Sequence, residues 1–324
     1  MSSFTHYLTS QQAVKVEVIQ SLWSGYGEIA RYQVGHDRFF VAKQISIPDS
    51  VYHPRGWHSN IAHQRKLTSY QVEADFYRQL APLLDDNARV AKLHAILGAG
   101  AEQVIIMEDL ADSGFMVLPD EVTAKAAGLC VRWLAYFHAN SLKAIKDAPQ
   151  IVDSLWSTGS YWHLATRPDE YLSMADSPLK QQAQRIDQKL SRARYQTVIH
   201  GDAKLANFCF DVDGKQVAAV DFQYPGLGVG IKDVMYLLTS IFDNDQLHQH
   251  ANEYVDRYFE HLRHAFALYG ITETVADVER EWRELYVYCW ADFHRFLAGW
   301  CADHVKVNDY MLQQTRRCLL HLDE

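Results

Sequence analysis

The sequence predicts an α+β fold in which a sheet comes first and helices follow. Two observations predict it. Up to about residue 107, runs of β-forming residues alternate with turn chemistry around one helical stretch. Beyond Pro119, apolar residues recur at three- and four-residue steps, with one β interruption between Val198 and Asp221. Segregated elements of this kind build α+β rather than alternating βαβ units.

The elements follow in order. Leu22 to Ile45 reads as strands: Phe39-Phe40-Val41-Ala42-Lys43-Gln44-Ile45 is rich in β-formers, and Val34-Gly35-His36-Asp37-Arg38 supplies a turn, so a hairpin is expected. Tyr52 to Asn60, with Pro54 and Gly56, reads as a loop. Leu67 to Leu84 reads as a helix, with Tyr70, Ala74, Tyr77, Leu80 and Leu84 on its apolar stripe. Ala95-Ile96-Leu97 and Gln103 to Met107 flank Gly98-Ala99-Gly100 and predict a second hairpin. Val122 to Ala139 predicts a helix carrying Val122, Ala126, Leu129, Trp133 and Phe137. After Asp233 the chain reads as helical to its end.

Composition narrows the function classes. With 324 residues and 48% hydrophobic content the chain can bury one large core or two modest ones. A net charge of -9 and no visible basic patch argue against a nucleic-acid partner. No run of about eighteen uncharged apolar residues occurs, so no membrane span is implied. Met1 to Gln12 lacks the basic start and apolar stretch of a signal peptide. The cysteines (Cys130, Cys209, Cys289, Cys301 and Cys318) are odd in number and form no C-x-x-C pair. Free, mostly buried thiols in a reducing, cytoplasmic setting are expected.

The chemistry concentrates between His200 and Asp221. Val198-Ile199 leads into the polar loop His200-Gly201-Asp202-Ala203-Lys204, and Phe208-Cys209-Phe210 leaves it. Val217 to Val220 then forms another apolar strand ending in Asp221. Asp211-Val212-Asp213-Gly214 lies between. Its D-x-D-G pattern also occurs around phosphatase nucleophiles, but nothing else completes that set, so a hairpin turn is expected. The hairpin brings Asn207 and Asp221 together. One amide oxygen and one carboxylate suit the Mg²⁺ that accompanies ATP, an ion that takes hard oxygen ligands and few protein contacts. Asp202 is placed to accept a proton from an attacking hydroxyl, and Lys204 to neutralise charge on a transferring phosphoryl group.

His-Gly-Asp at 200–202, Asn207 five residues after Asp202, and Asp221-Phe222-Gln223 at a strand end resemble the protein-kinase-like phosphotransferases of small molecules. Aminoglycoside phosphotransferases, choline kinases and ecdysteroid-kinase-like proteins belong there, and Gln223 resembles the last group most. Protein kinases share the Asp-x-Lys-x-x-Asn spacing of Asp202, Lys204 and Asn207. The resemblance spans about Leu22 to Leu238. It implies a two-lobed fold: a β-rich ATP-binding lobe over 1–107, a hinge over 108–112, and a mostly helical lobe over 113–324.

The resemblance also implies residues upstream. Lys43, on its strand, would hold ATP phosphates, with Glu73 on the following helix orienting it. Asp75 points about two hundred degrees away from Glu73 on a helix. Ser24, Gly25 and Gly27, within Trp23 to Ile29, form a reduced Gly-rich loop whose backbone N–H groups would approach the phosphates. Met107-Glu108-Asp109-Leu110 resembles the hinge, with the Glu108 carbonyl and the Leu110 N–H meeting adenine. His138 reads as a core or supporting histidine, and Asp233 as a brace of the catalytic loop.

Asp233 follows Gln223 by ten residues, and the chain has no Ala-Pro-Glu. A protein kinase places a long activation segment and that motif here. A small hydroxylated acceptor is therefore favoured over a peptide. Trp282, Tyr286, Tyr288, Trp290, Phe293, Phe296 and Trp300 read either as a helix core or as an aromatic cage, with the core favoured by their helical spacing. The alternative function is a nucleotide-binding pseudokinase without turnover. The presence of Asp202, Lys204, Asn207 and Asp221 argues against it, and a metal-dependent phosphatase lacks its His-rich ligands.

Overall fold

Ser2 starts the first helix by accepting the Thr5 N–H on its side chain; α1 (Ser3–Gln11) stops at Gln12, whose φ of 52° is left-handed. The computed structural model describes residues 2–22, 25–46, 60–116, 124–271 and 275–323. Strands β1 (Ala13–Ser21), β2 (Gly27–Val34) and β3 (Arg38–Ile45) form a meander. The expected hairpin about Gly35 is β2–β3. The sequence pattern marks no element before Leu22. The reason is that β1 is an edge strand exposed along nearly its whole length, Val14, Val16 and Val18 included, so no buried face marks it.

Helix α2 (Asn60–Asp75) continues through a π-turn at Phe76–Leu80 and a 3₁₀ turn at Ala81–Leu83. It therefore starts seven residues before the expected Leu67. Of the expected loop from Tyr52, residues 52–59 lie outside the described residues, and Asn60 already belongs to α2. Strands β4 (Leu93–Leu97) and β5 (Val104–Glu108) pair antiparallel, as expected, and complete a five-stranded sheet of order β1-β2-β3-β5-β4.

Period-2 alternation sorts this sheet. Val104 and Ile106 join Phe40, Ala42 and Tyr32 beneath Phe4 of α1, whereas Ile105 and Met107 join the core on the other face. Val41 and Lys43 thus face α2.

The rest of the chain is mostly helical. After the short β6 (Phe115–Met116) come α3 (Ala124–Asp147), α4 (Pro168–Ser173) and α5 (Pro178–Ser191). Small strands follow: β7 (Thr197–Ile199), β8 (Phe208–Asp211), β9 (Val217–Ala219) and β10 (Gly226–Gly228). They form the sheets β10-β7 and β6-β8-β9. The final helices are α6 (Ile231–Ile241), α7 (Asn244–Leu268), α8 (Val275–Trp300) and α9 (Asp309–Asp323).

Trp282 and Trp290 are fully buried in α8, and Tyr286, Tyr288, Phe293 and Phe296 are buried with them. These six form core, as their spacing favours, and Trp300 alone of the seven is half-buried. All five cysteines are free thiols; Cys130, Cys289 and Cys318 are buried. No helix among the described residues is long and apolar enough to cross a membrane.

Candidate active site

The alternation of β3 delivers Lys43 to α2, and the helical turn of α2 brings Glu73 to meet it. Lys43 Nζ donates to Glu73 Oε2 at 2.6 Å and to Asp221 Oδ1 at 3.3 Å. Lys43 and Glu73 are each only 2% exposed. Burial by itself would depress the Lys43 ammonium. The charges of Glu73 and Asp221 outweigh it and hold the ammonium above its ordinary value. Asp75, the rival partner, pairs with Arg78 at 3.1 Å instead.

The loop after β7 is fastened from behind. Asp233, fully buried in the first turn of α6, accepts the His200 N–H at 2.6 Å and the Gly201 N–H at 3.0 Å. His138 holds the same carboxylate at 3.1 Å and meets Tyr258 Oη at 2.8 Å, so it serves in support. The His200 ring accepts the Asp202 N–H on Nδ1 at 3.3 Å. That leaves Nε2 as the protonated nitrogen, donating to the Val220 carbonyl at 3.0 Å. Gly201 is required here: its φ is +76°, and a Cβ would lie 2.1 Å from the Tyr224 carbonyl oxygen.

The hairpin from β8 to β9 then folds back. Gly214 N–H donates to the Asp211 carbonyl at 2.9 Å, and the Asp211 carboxylate accepts the Lys215 N–H at 2.6 Å. Asp211–Gly214 is therefore a turn. Val220 N–H donates to the Asn207 carbonyl at 2.9 Å, which sets Asn207 beside the end of β9. The Asn207 amide nitrogen donates to the Asp202 carbonyl at 2.8 Å and to Asp202 Oδ2 at 3.3 Å, so its oxygen is the atom left for another partner.

The two carboxylates of this block are driven apart. Burial raises Asp202, with the nearby Asp221 charge adding to it against Lys204. Burial would raise Asp221 too, but Lys43, Lys66 and Lys204 overcome it and bring it to about 2. Burial and charge thus push one carboxyl toward its protonated form and hold the other as an anion. Asp221 also sits at φ 68°, left-handed backbone that a non-glycine residue holds only where its surroundings impose it. About a third of its side chain is open (32%), and Lys43 and Gln223 engage only Oδ1. Oδ2 and the Asn207 amide oxygen are the hard donors on offer. Among the described residues no group of three or more His, Cys, Asp or Glu is arranged to hold a metal ion. Two oxygens suit Mg²⁺, which keeps waters and phosphate oxygens as its other ligands. Lys204 Nζ stands 3.5 Å from Asp202 Oδ2 and is 39% exposed.

A family model described as the phosphotransferase enzyme family matches residues 22–269. The chain belongs to the phosphotransferase enzyme family. Among solved structures, a microcompartment-associated aminopropanol kinase is similar at 13% identity and a TM-score of 0.50, over 98% of this chain and 94% of that one. The GDP complex of an aminoglycoside 2'-phosphotransferase is similar at 12% identity and a TM-score of 0.50, over 99% and 100%. At these identities the fold is what is shared, and it is the kinase-like α+β fold. No curated protein sequence matches the chain.

The remaining expected residues of this phosphotransferase sit less simply. Ser24 lies outside the described residues. Gly25 N–H donates to the Leu22 carbonyl at 3.2 Å, within the turn itself. At Gly27 (φ +125°) a Cβ would lie 1.9 Å from the Gln44 carbonyl oxygen, so this glycine admits the neighbouring strand. Glu108 N–H donates to the Lys92 carbonyl at 2.8 Å, and its carboxylate binds Arg89, the Lys92 N–H and Ser113. Leu110 is buried, and its carbonyl accepts the Phe115 N–H at 2.7 Å. Both glycines thus have a local structural reason that the sequence pattern does not show.

Other residues of the candidate site were missed. Lys66 of α2 donates to Gln223 Oε1 at 3.0 Å, and Ser69 Oγ donates there at 3.2 Å. Phe222 stacks on Phe76 at 3.8 Å between centroids, locking the Asp221 turn to the helical run that carries Glu73. Tyr236 and Lys306 gather near Asp202 from separate segments, beside Tyr161, which the sequence offers only as core or cage. No local signal marks these; only Gln223 stood in a motif, and there as a label rather than a working group.

Proposed function

We propose that this phosphotransferase moves the γ-phosphoryl group of ATP to a hydroxyl of a small molecule, with Asp202 as general base and Mg²⁺ as cofactor. The observation that carries the reading is the Asp202–Asp221 pair. The loop after β7 and the end of β9 present a carboxyl raised toward proton acceptance and a carboxylate held ionised, with Asn207 bonded to the one and beside the other.

The chain's residues divide the work. Lys43, positioned by Glu73, binds the nucleotide phosphates. Asp202 takes the proton of the acceptor hydroxyl as its oxygen forms a bond to the γ-phosphorus. The bond from that phosphorus to the bridging oxygen breaks, and ADP leaves with the electron pair. Lys204 faces the charge spread over the transferring oxygens. Asn207 and Asp221 would hold Mg²⁺, which when bound draws charge from the phosphate oxygens. Gly25 and Gly27 shape the turn that covers the phosphates, with Ser24 in the same segment, and Glu108 and Leu110 supply backbone groups to the adenine. The proposed lobes, 1–107 and 113–324, meet at 108–112, where β5 ends the large sheet. The Asp-Phe-Gln signature keeps the ecdysteroid-kinase-like group as the proposed branch, and the free thiols support a cytoplasmic setting.

The test compares Asp202→Asn with Asp221→Ala. Asp202→Asn keeps Mg²⁺-dependent ATP binding in calorimetry but loses roughly a hundredfold or more in turnover. Asp221→Ala loses the Mg²⁺ enhancement of ATP binding. Wild-type turnover in Asp202→Asn would sink the base assignment.

A further inference from the structure

We propose that the acceptor carries an anionic group, a carboxylate or a phosphate, bound by Lys306 while its hydroxyl faces Asp202. The proposal rests on the phosphotransfer reading above and names the substrate class of that site.

Asp202 has two sets of neighbours. Asn207, Lys204 and Asp221 are the groups assigned to phosphate and metal. Tyr161 and Tyr236 are near it as well. The Tyr236 phenol donates to Tyr161 Oη at 3.1 Å and lies against Asp202.

Lys306 lies in the segment 301–308 between α8 and α9, and it turns back into this region. Its Nζ donates to Thr239 Oγ1 at 3.1 Å and sits over the Tyr236 ring at 4.9 Å and the Phe293 ring at 5.8 Å. Among the described residues no carboxylate lies within ion-pair distance of Nζ. Burial pushes the ammonium down to about 8, with the Asp202 charge opposing and the Lys204 charge adding. It is still a cation at neutral pH, held partly out of water with a neutral hydroxyl and ring faces for company.

The neighbouring carboxylates are already committed. Glu170 pairs with Arg167 at 3.1 Å, and Asp292 with Lys232 and Arg295 at 2.9 and 2.8 Å. Asp303 accepts from Cys301 at 3.1 Å. Arg167 lays its guanidinium over Phe296 at 5.2 Å. The walls are thus aromatic, with Tyr161 and Phe296 edge to face at 5.5 Å, and among the described residues Lys306 is a cation there with no carboxylate at ion-pair distance. A cationic amino alcohol would bring like charge to Lys306. An anion would supply the partner that the half-desolvated ammonium lacks.

The experiment measures ADP release with Mg²⁺-ATP and matched acceptors: hydroxy acids, hydroxyalkyl phosphates, neutral polyols and amino alcohols. Wild type, Asp202→Asn, Lys306→Met and Lys306→Arg are compared. The expected result is Asp202-dependent turnover of the anionic members. Lys306→Met then raises their KM by about tenfold or more, the effect falling on the acceptor and not on ATP, and Lys306→Arg recovers most of it. Preferred turnover of amino alcohols or polyols overturns the proposal and leaves phosphotransfer standing. So does Asp202-dependent hydrolysis by water that no acceptor class stimulates. A Lys306→Met effect on the ATP KM alone assigns the lysine to the nucleotide and overturns it equally. Absence of any Asp202-dependent ADP release brings down the underlying reading as well.

Discussion

Lys66 Nζ donates to Gln223 Oε1 at 3.0 Å, and the Gln223 amide nitrogen donates to Asp221 Oδ1 at 2.5 Å. The third residue of Asp-Phe-Gln is therefore a relay. It ties helix α2 to the carboxylate proposed to hold the metal, and it fixes which oxygen of Asp221 stays open. Gln223→Leu and Lys66→Met should each weaken Mg²⁺-ATP binding by about 1–2 kcal/mol, the range of a hydrogen bond to a charged group. Because they act through one chain of bonds, the double variant should lose clearly less than the sum. Calorimetry on the four proteins checks this, and strict additivity would remove the relay.

Lys43 and Glu73 separate stability from activity. Removing one member leaves the other charge buried, so Glu73→Gln or Lys43→Met should destabilise by about 3–5 kcal/mol in denaturant titrations. The double change Lys43→Met with Glu73→Leu buries no orphan charge at that contact and should recover much of the loss. It should recover none of the turnover. A double variant as unstable as the worse single one would contradict the buried-pair account.

The rate should rise and then fall with pH. Asp202 works ionised, and burial raises it above the ordinary 3.8 of an aspartate, so kcat/KM climbs as pH increases through that raised value. Asp221 stays ionised down to about 2, so Mg²⁺-dependent nucleotide binding should outlast turnover on the acid side. Lys66 and Lys306 work protonated, and burial lowers both to about 8, so kcat/KM falls as pH rises through that value. Lys66→Arg should make the alkaline limb shallower, and Lys66→Arg with Lys306→Arg should move it upward, since a guanidinium stays charged. A profile flat from neutrality to pH 9 would exclude both lysines from function.

Asp233 carries the loop. In Asp233→Ala the His200 and Gly201 N–H groups lose their acceptor where no water reaches, at about 1–3 kcal/mol each. Thermal unfolding should drop by several degrees, and turnover should fall although Asp233 touches no reacting atom. Asp233→Asn keeps one acceptor oxygen and should be milder in both respects.

Much of this was legible in the chain itself, wherever the deciding interaction is local. Asp202, Lys204 and Asn207 share one short loop, and a turn at Asp211–Gly214 returns the strand so that Asp221 arrives beside Asn207. Strand alternation turned Lys43 to the face opposite Phe40 and Ala42, and helical spacing preferred Glu73 to Asp75. Sequence determined these because period and turn chemistry are properties of neighbouring residues. Only the tertiary structure decided the rest. The opposite shifts of Asp202 and Asp221 come from lysines at 43, 66 and 204 and from burial by several elements at once. Lys66 meets Gln223, and Lys306 meets Tyr236, across stretches of chain that no pattern spans. Gly27 and Gly201 marked loops, but the carbonyls that exclude a side chain at each belong to other segments. Periodicity reports that a face is buried; what it is buried against, and with which charge, depends on contacts formed when distant segments pack.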